Sequence, residues 1–155
     1  MIVSAWLPEM AWGDWTVKRV GANTELRQHD RCWMSDLPQD THEEMAFAEI
    51  AYGSVLIAGL GMGFLPWLLG QDKAVDRIDV LEIDASLIAH IGPHLAKASP
   101  LVSIFHASAL EFTPETVYDL GWFDFTEKPM GDRGKAIVRE RYAGSVRSIR
   151  FWTGA

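Results

Sequence analysis

Three glycines and a handful of acids carry the chemistry open to this sequence. Gly59, Gly61 and Gly63 alternate with Leu60 and Met62 directly after the apolar run Ser54-Val55-Leu56-Ile57-Ala58. A strand that runs into such a turn and then a helix brings bare backbone close under a ligand, because side chains there would block the approach. The helix start adds free N–H donors and a partial positive charge. A nucleotide or a carboxylate uses both features. A tight turn without a ligand uses neither, and the glycines alone leave the two readings open. Glu82 stands about twenty residues further on, closing the next strand-like run, where a carboxylate accepts both hydroxyls of a ribose. Asp84 suits a helix cap. Asp124 and Glu127 offer a general base or a hold on a cationic acceptor, and read equally as ordinary loop acids.

Other constellations carry less. A dinucleotide turn wants Gly-x-Gly-x-x-Gly, and its third position here is Phe64. Some fifty residues precede the glycine strand, which also leans away from NAD. His90 and His94 have the spacing of a helical metal pair, but Gly92 and Pro93 lie between them and no third ligand is evident, so no metal is expected. Cys32 has no partner histidine near it in sequence and reads as filler. No Gly-x-Ser-x-Gly elbow is present.

The elements that must position these residues alternate. Trp15 to Val20 has strand periodicity, Gly21-Ala22-Asn23 is a turn, and Thr24 to Gln28 is a returning strand. A helix is expected from about Pro38 to Tyr52. Ser35 or Asp36 would cap it, Thr41 and Glu44 have capping-box spacing, Met45, Ala48, Ile50 and Ala51 form its apolar side, and Gly53 ends it. Strands at 54–58, 77–82, 101–105, 118–125 and 146–152 interleave with helices at 64–70, 85–98 and 132–142, the second kinked or divided at Gly92-Pro93. This alternation predicts an α/β fold: a Rossmann-like, doubly wound parallel sheet of about five strands, with a small N-terminal β-rich segment. Residues 1–34 would be that segment and 35–155 the nucleotide-binding core of one domain. Ligands of such sheets lie beyond the carboxyl ends of the strands. The glycine turn, Glu82, the His106 to Ala109 segment and Asp124 should therefore share one edge.

Composition narrows the partners. The 155 residues are 48% hydrophobic, enough for one core, and the net charge is −7. Phosphate backbones and anionic membrane surfaces call for clustered Lys and Arg, so neither nucleic acid nor membrane is expected. A small neutral or cationic substrate suits the charge. A single cysteine allows no internal disulfide and suits a reducing cytoplasm. The start of the chain lacks the pattern of a signal peptide. Of seven tryptophans, Trp6, Trp12 and Trp15 cluster near the start and are expected to be buried in a small sheet or at a subunit contact.

VLIAGLGMG at 55–63, followed by VLEID at 80–84, resembles the cofactor core of class I S-adenosylmethionine-dependent methyltransferases. Upstream, WMSDLPQDTHEEMAFAEIAYG at 33–53 resembles the spermidine synthase-like branch more narrowly. The likeness covers about residues 33 to 127. It implies S-adenosylmethionine as cofactor, with Gly59, Gly61 and Gly63 under its methionine part and Glu82 on its ribose. The family's acid near the adenine amino group corresponds to Ser108, followed by Ala109, so a hydroxyl replaces a charge. Polyamine synthases carry Asp-x-x-Asp-Pro after the fourth strand. Asp124 matches the first acid and Glu127 stands near the second, with Lys128 inserted before Pro129. Those enzymes also carry an aspartate inside the glycine loop, where this chain has Met62. The resemblance thus implies methyl transfer more than aminopropyl transfer. The family usually adds two strands after the fifth. Their lack implies that the Trp-rich N-terminal region and a second subunit complete the site, that the acceptor is small, or that catalysis has been lost. An unpaired fifth strand predicts a homodimer.

Overall fold

The computed structural model describes residues 3–155. Val3–Ala5 forms a short 3-10 turn ahead of four strands, Met10–Trp12 (β1), Trp15–Val20 (β2), Asn23–Gln28 (β3) and Arg31–Ser35 (β4), paired in that order as an antiparallel meander. The core follows as Pro38–Ile50 (α1), Gly53–Ala58 (β5), Phe64–Gly70 (α2), Val75–Glu82 (β6), Ala85–Ala98 (α3), Val102–His106 (β7), Tyr118–Phe123 (β8), Asp132–Tyr142 (α4) and Val146–Phe151 (β9). Its five strands are all parallel, in the order β7-β6-β5-β8-β9. The order reverses between β5 and β8, so the crevice at their carboxyl ends is the natural ligand position. The α/β doubly wound sheet with a β-rich N-terminal segment is the architecture expected from the sequence.

Alternation along the strands sorts the core into two faces. Val55 and Ile57 of β5, with Ile78 and Val80 of β6, join the cluster under α1, α2 and α3. Leu56 and Ala58 pack with Leu81, Phe123, Val138 and Tyr142 on the α4 face. Each fully buried Val, Leu, Ile or Phe among them contributes about 1.5–3 kcal/mol of transfer free energy. Asp79 is also buried, and its charge is met by the Tyr118 hydroxyl at 2.6 Å and by Arg77 at 2.8 Å.

The N-terminal meander shares the first of these cores, through Leu7, Trp15, Val17 and Leu26. Its tryptophans make the join specific. Trp15 is buried and its Nε1 donates to Asp84 at 3.2 Å. Trp12 donates to Ser86 at 3.1 Å and stacks on His90, with ring centroids 4.5 Å apart. Trp6 stacks on Trp67.

Several local expectations need correction. The meander has two strands, β1 and β4, that its short and irregular sequence pattern hides. At α1 the N-cap position is Leu37, without a side-chain cap. Ser35 instead accepts from the Leu37 amide, and Asp36 turns back to accept from Thr24 N at 2.7 Å. The helix stops at Ile50, and Gly53, with φ +61°, already begins β5. Its buried face is Thr41, Glu44 and Phe47; of the expected apolar side, Ala48 packs against the core and Ala51 is buried just past the helix end, while Met45 and Ile50 are exposed. α3 runs unbroken through Pro93.

Candidate functional site

The site begins where β5 ends. Gly59 has φ +106°, and a Cβ there would overlap the carbonyl oxygen of Asp124, where β8 diverges. Only glycine allows the two strand ends to lie this close. Gly61 (φ +53°) turns beneath the thioether of Met34 from β4, and Gly63 (φ +79°) is the N-cap residue of α2, packed against Trp6, Ile91 and Leu95. Gly59 and Gly61 line a cleft of about 770 Å³, within the roughly 300–1,000 Å³ usual for small-molecule sites. Gly63 lies behind it.

Most amides of the glycine turn are already engaged. Gly59 N donates to Leu81 O, Leu60 N to Glu82, Met62 N to Met34 Sδ at 3.2 Å, and Gly63 N to Leu60 O. Gly61 N is the amide of the five left to a ligand. The turn is thus less bare than its composition implies, and Met34 is a site residue that no motif announces.

Glu82 sits at the mouth of this turn. Its side chain is almost buried, with one oxygen accepting from Leu60 N and the other from Asp84 N, each at 2.9 Å. A carboxylate has about four lone-pair sites, so acceptor capacity remains for hydroxyl groups. Asp84 does what its spacing suggested and caps α3, accepting from Ser86 N and Leu87 N. These hydrogen bonds hold its carboxyl below the usual aspartate range, against the opposing effect of desolvation.

Ile83 and Leu110, both exposed, flank the same end of the cleft as Ser108 and Ala109. Ser108 Oγ accepts from Leu110 N at 3.2 Å, and Ala109 is buried with its carbonyl taking the Tyr142 hydroxyl. His106 lies against the Ile83 carbonyl at 3.0 Å.

Acids gather at the other end. Asp124 follows β8, and burial pushes its carboxyl up to about 7, with the charge of Glu43 adding to the rise. Burial likewise pushes Glu44 up to about 7, helped by the charges of Asp124, Glu43 and Asp40. Glu43 and Glu44 come from α1, and only the turn of that helix shows that they face the cleft. Glu43 is engaged: it accepts from Thr153 N and Gly154 N, both at 3.0 Å, and from the Thr153 hydroxyl at 2.7 Å. Glu127 lines the rim, exposed and ion-paired with Arg31, so its charge is met. Trp122 and Phe125 line the cleft too, Trp122 also packing on Phe47, while Phe123 belongs to the core on the other face. His90 is held by Trp12 and the Ser86 carbonyl, and among the described residues no three His, Cys, Asp or Glu cluster as metal ligands.

No protein-family model matches the chain, and no curated protein matches it. Solved structures do. A DhpI–SAH complex aligns with a TM-score of 0.56 at 21% identity, covering 74% of this chain and 54% of that one. The methyltransferase domain of bacterial CtHen1-CN aligns at 0.56 and 16%, covering 74% and 64%. Coclaurine N-methyltransferase bound to N-methylheliamine and SAH aligns at 0.57 and 17%, covering 71% and 34%. The chain shares the fold of these structures. It spans about half the length of the DhpI structures, 52% and 54% in two complexes.

Proposed function

We propose that the chain binds S-adenosylmethionine in this cleft and promotes transfer of its methyl group to a small or cationic acceptor. The observation that carries the reading is the Glu82 carboxylate lodged at the mouth of the glycine turn, in the fold shared with solved methyltransferases whose complexes contain SAM or SAH.

The residues present fit such a nucleoside. Glu82 accepts the ribose hydroxyls with its remaining lone pairs, Gly61 N is left to donate, and Ile83 and Leu110 supply apolar faces beside the Ser108 hydroxyl for the base. Gly63, buried behind the turn, shapes it without touching the ligand. Bound S-adenosylmethionine supplies a methyl group on a positively charged sulfur. The protein then has to exclude water and hold the nucleophile in line. Asp124 takes the proton from a nitrogen nucleophile, its raised carboxyl being well matched to an amine near neutral pH. Glu127, paired with Arg31, shapes the rim.

Isothermal calorimetry with S-adenosylmethionine, S-adenosylhomocysteine and NAD tests the reading. The first two should bind and NAD should not. Loss of their binding in Glu82→Gln, with an unchanged melting temperature, supports the ribose role; binding of NAD alone overturns the proposal. The alternative of a module that binds without turnover draws on the pairing of Glu127 with Arg31, and an acceptor panel with labelled methyl donor separates it. The spermidine synthase-like resemblance, with aminopropyl transfer, would use the same acids. It requires the chain to prefer a decarboxylated donor.

We also infer that residues 1–155 work as one domain, since meander and core share buried side chains. β9 is a sheet edge, which supports the expected homodimer. A monomeric mass by light scattering sinks that. Among the described residues no helix is long and apolar enough to cross a membrane. The exposed free thiol of Cys32 supports a cytoplasmic location.

A further inference from the structure

Glu44 is the oddest residue of the cleft. It is 5% exposed, it lines the cleft wall, and its Oε2 is buried without a hydrogen-bond partner. A carboxylate oxygen left so keeps the full cost of its lost hydration, and a native structure that keeps one calls for an explanation. Among the described residues no cation explains it. Seven carboxylates line the cleft, against one arginine and His42. The arginine, Arg31, is committed to Glu127 at the rim. The charges that reach Glu44 are those of Asp124, Glu43 and Asp40, all negative. Glu43 spends both oxygens on Thr153 and Gly154, and Asp40 takes the Ser35 hydroxyl. The unmet acceptor is thus Glu44, in a wall that also holds Trp122 and Trp152. Aromatic faces beside carboxylates favour a cation, and a buried orphan oxygen requires that cation to carry N–H donors.

We propose that Glu44, with Asp124, forms the subsite for the acceptor, and that the acceptor is a primary or secondary ammonium group whose N–H donates to Glu44 Oε2. Glu44 is a specificity-determining residue here, and Asp124 the acid that receives the proton. The inference rests on the proposed function for what lies in the neighbouring half of the cleft. A quaternary ammonium matches the charge but has no N–H to give, and a neutral alcohol has a donor but no charge. These two properties separate the subsite from a general acidic surface.

The test is calorimetry on the full chain at about pH 8, where both raised carboxyls are ionised, with and without S-adenosylhomocysteine. Benzylamine, benzyltrimethylammonium and benzyl alcohol are the probes. Benzylamine should bind about tenfold or more tightly than either of the others. In Glu44→Gln that margin should vanish while S-adenosylhomocysteine binds as before. Glu44→Leu should do the same and raise the melting temperature at that pH, because it removes a buried charge that no described residue pairs. A purely structural acid would lower it. Equal binding of the three probes, no binding by any, or a preference that survives Glu44→Gln overturns the proposal. Failure of S-adenosylhomocysteine to bind counts against the cofactor reading alone, since the amine arm is also run on the unloaded chain.

Discussion

Gly59 and Asp124 meet backbone to backbone: a Cβ on the glycine would overlap the carbonyl oxygen of the aspartate. The contact joins the carboxyl ends of β5 and β8, the two strands between which the sheet reverses. It sets the start of the glycine turn and the position of the Asp124 carboxyl together. Gly61 stands two residues on, with the flexible end of Met34 rather than backbone above it.

Alanine at these two glycines should therefore act differently. In Gly59→Ala, a left-handed backbone costs about 1–2 kcal/mol and the overlap with fixed backbone about 1–3 more. In Gly61→Ala, Met34 can swing aside and mainly the backbone term remains. Urea unfolding should show Gly59→Ala to be the less stable by at least 1 kcal/mol. Equal losses would mean that the β5–β8 junction yields.

Stability should fall as pH rises through the acid cluster. Asp124 and Glu44 both have carboxyls raised to about 7, chiefly by burial. Between their ordinary values near 4 and about 7 the folded chain holds protons that the unfolded chain has released, so each unit of pH removes up to about 1.4 kcal/mol per group. Above about 7 this contribution levels off. Thermal melts from pH 5 to pH 8 should show the decline, and Asp124→Asn with Glu44→Gln should flatten it. A slope unchanged in the double variant would place the titration elsewhere.

Asp124→Asn should separate binding from chemistry. The amide keeps the shape of the side chain but cannot take a proton, and loss of a general base typically slows a reaction by about 10²–10⁴-fold. Turnover with an amine acceptor should drop by that order, with S-adenosylhomocysteine affinity unchanged by calorimetry. Glu127→Gln should have a far smaller effect, because Arg31 already meets that charge. A comparable loss in both variants would restore Glu127 to the reacting centre.

Tyr118→Phe offers a control away from the cleft. The hydroxyl donates to buried Asp79 at 2.6 Å, and burial together with that hydrogen bond holds its pKa above the ordinary tyrosine value. Its removal leaves Asp79 with Arg77 alone and should cost about 1–3 kcal/mol in urea unfolding. Ligand affinities should stay as they were, since neither residue lines the cleft.

Local pattern was enough for much of this protein. The helices Phe64–Gly70, Ala85–Ala98 and Asp132–Tyr142, the glycine turn, the Asp84 cap and the alternation that implies a parallel sheet are all written in short-range signals. Such signals act within a few residues of each other, so they survive without the rest of the fold. Tertiary structure decided the remainder. Neither side of α1 is distinctly apolar, so only packing against Trp122 turned Phe47 and Glu44 inward and left Met45 and Ile50 outside. Met34 reaches the glycine turn from a strand that pairs in another sheet. Glu127 has its charge paired by Arg31, far away in sequence. Each of these depends on which distant surface a side chain meets, and that is settled by burial and pairing across the whole chain rather than by its neighbours in sequence.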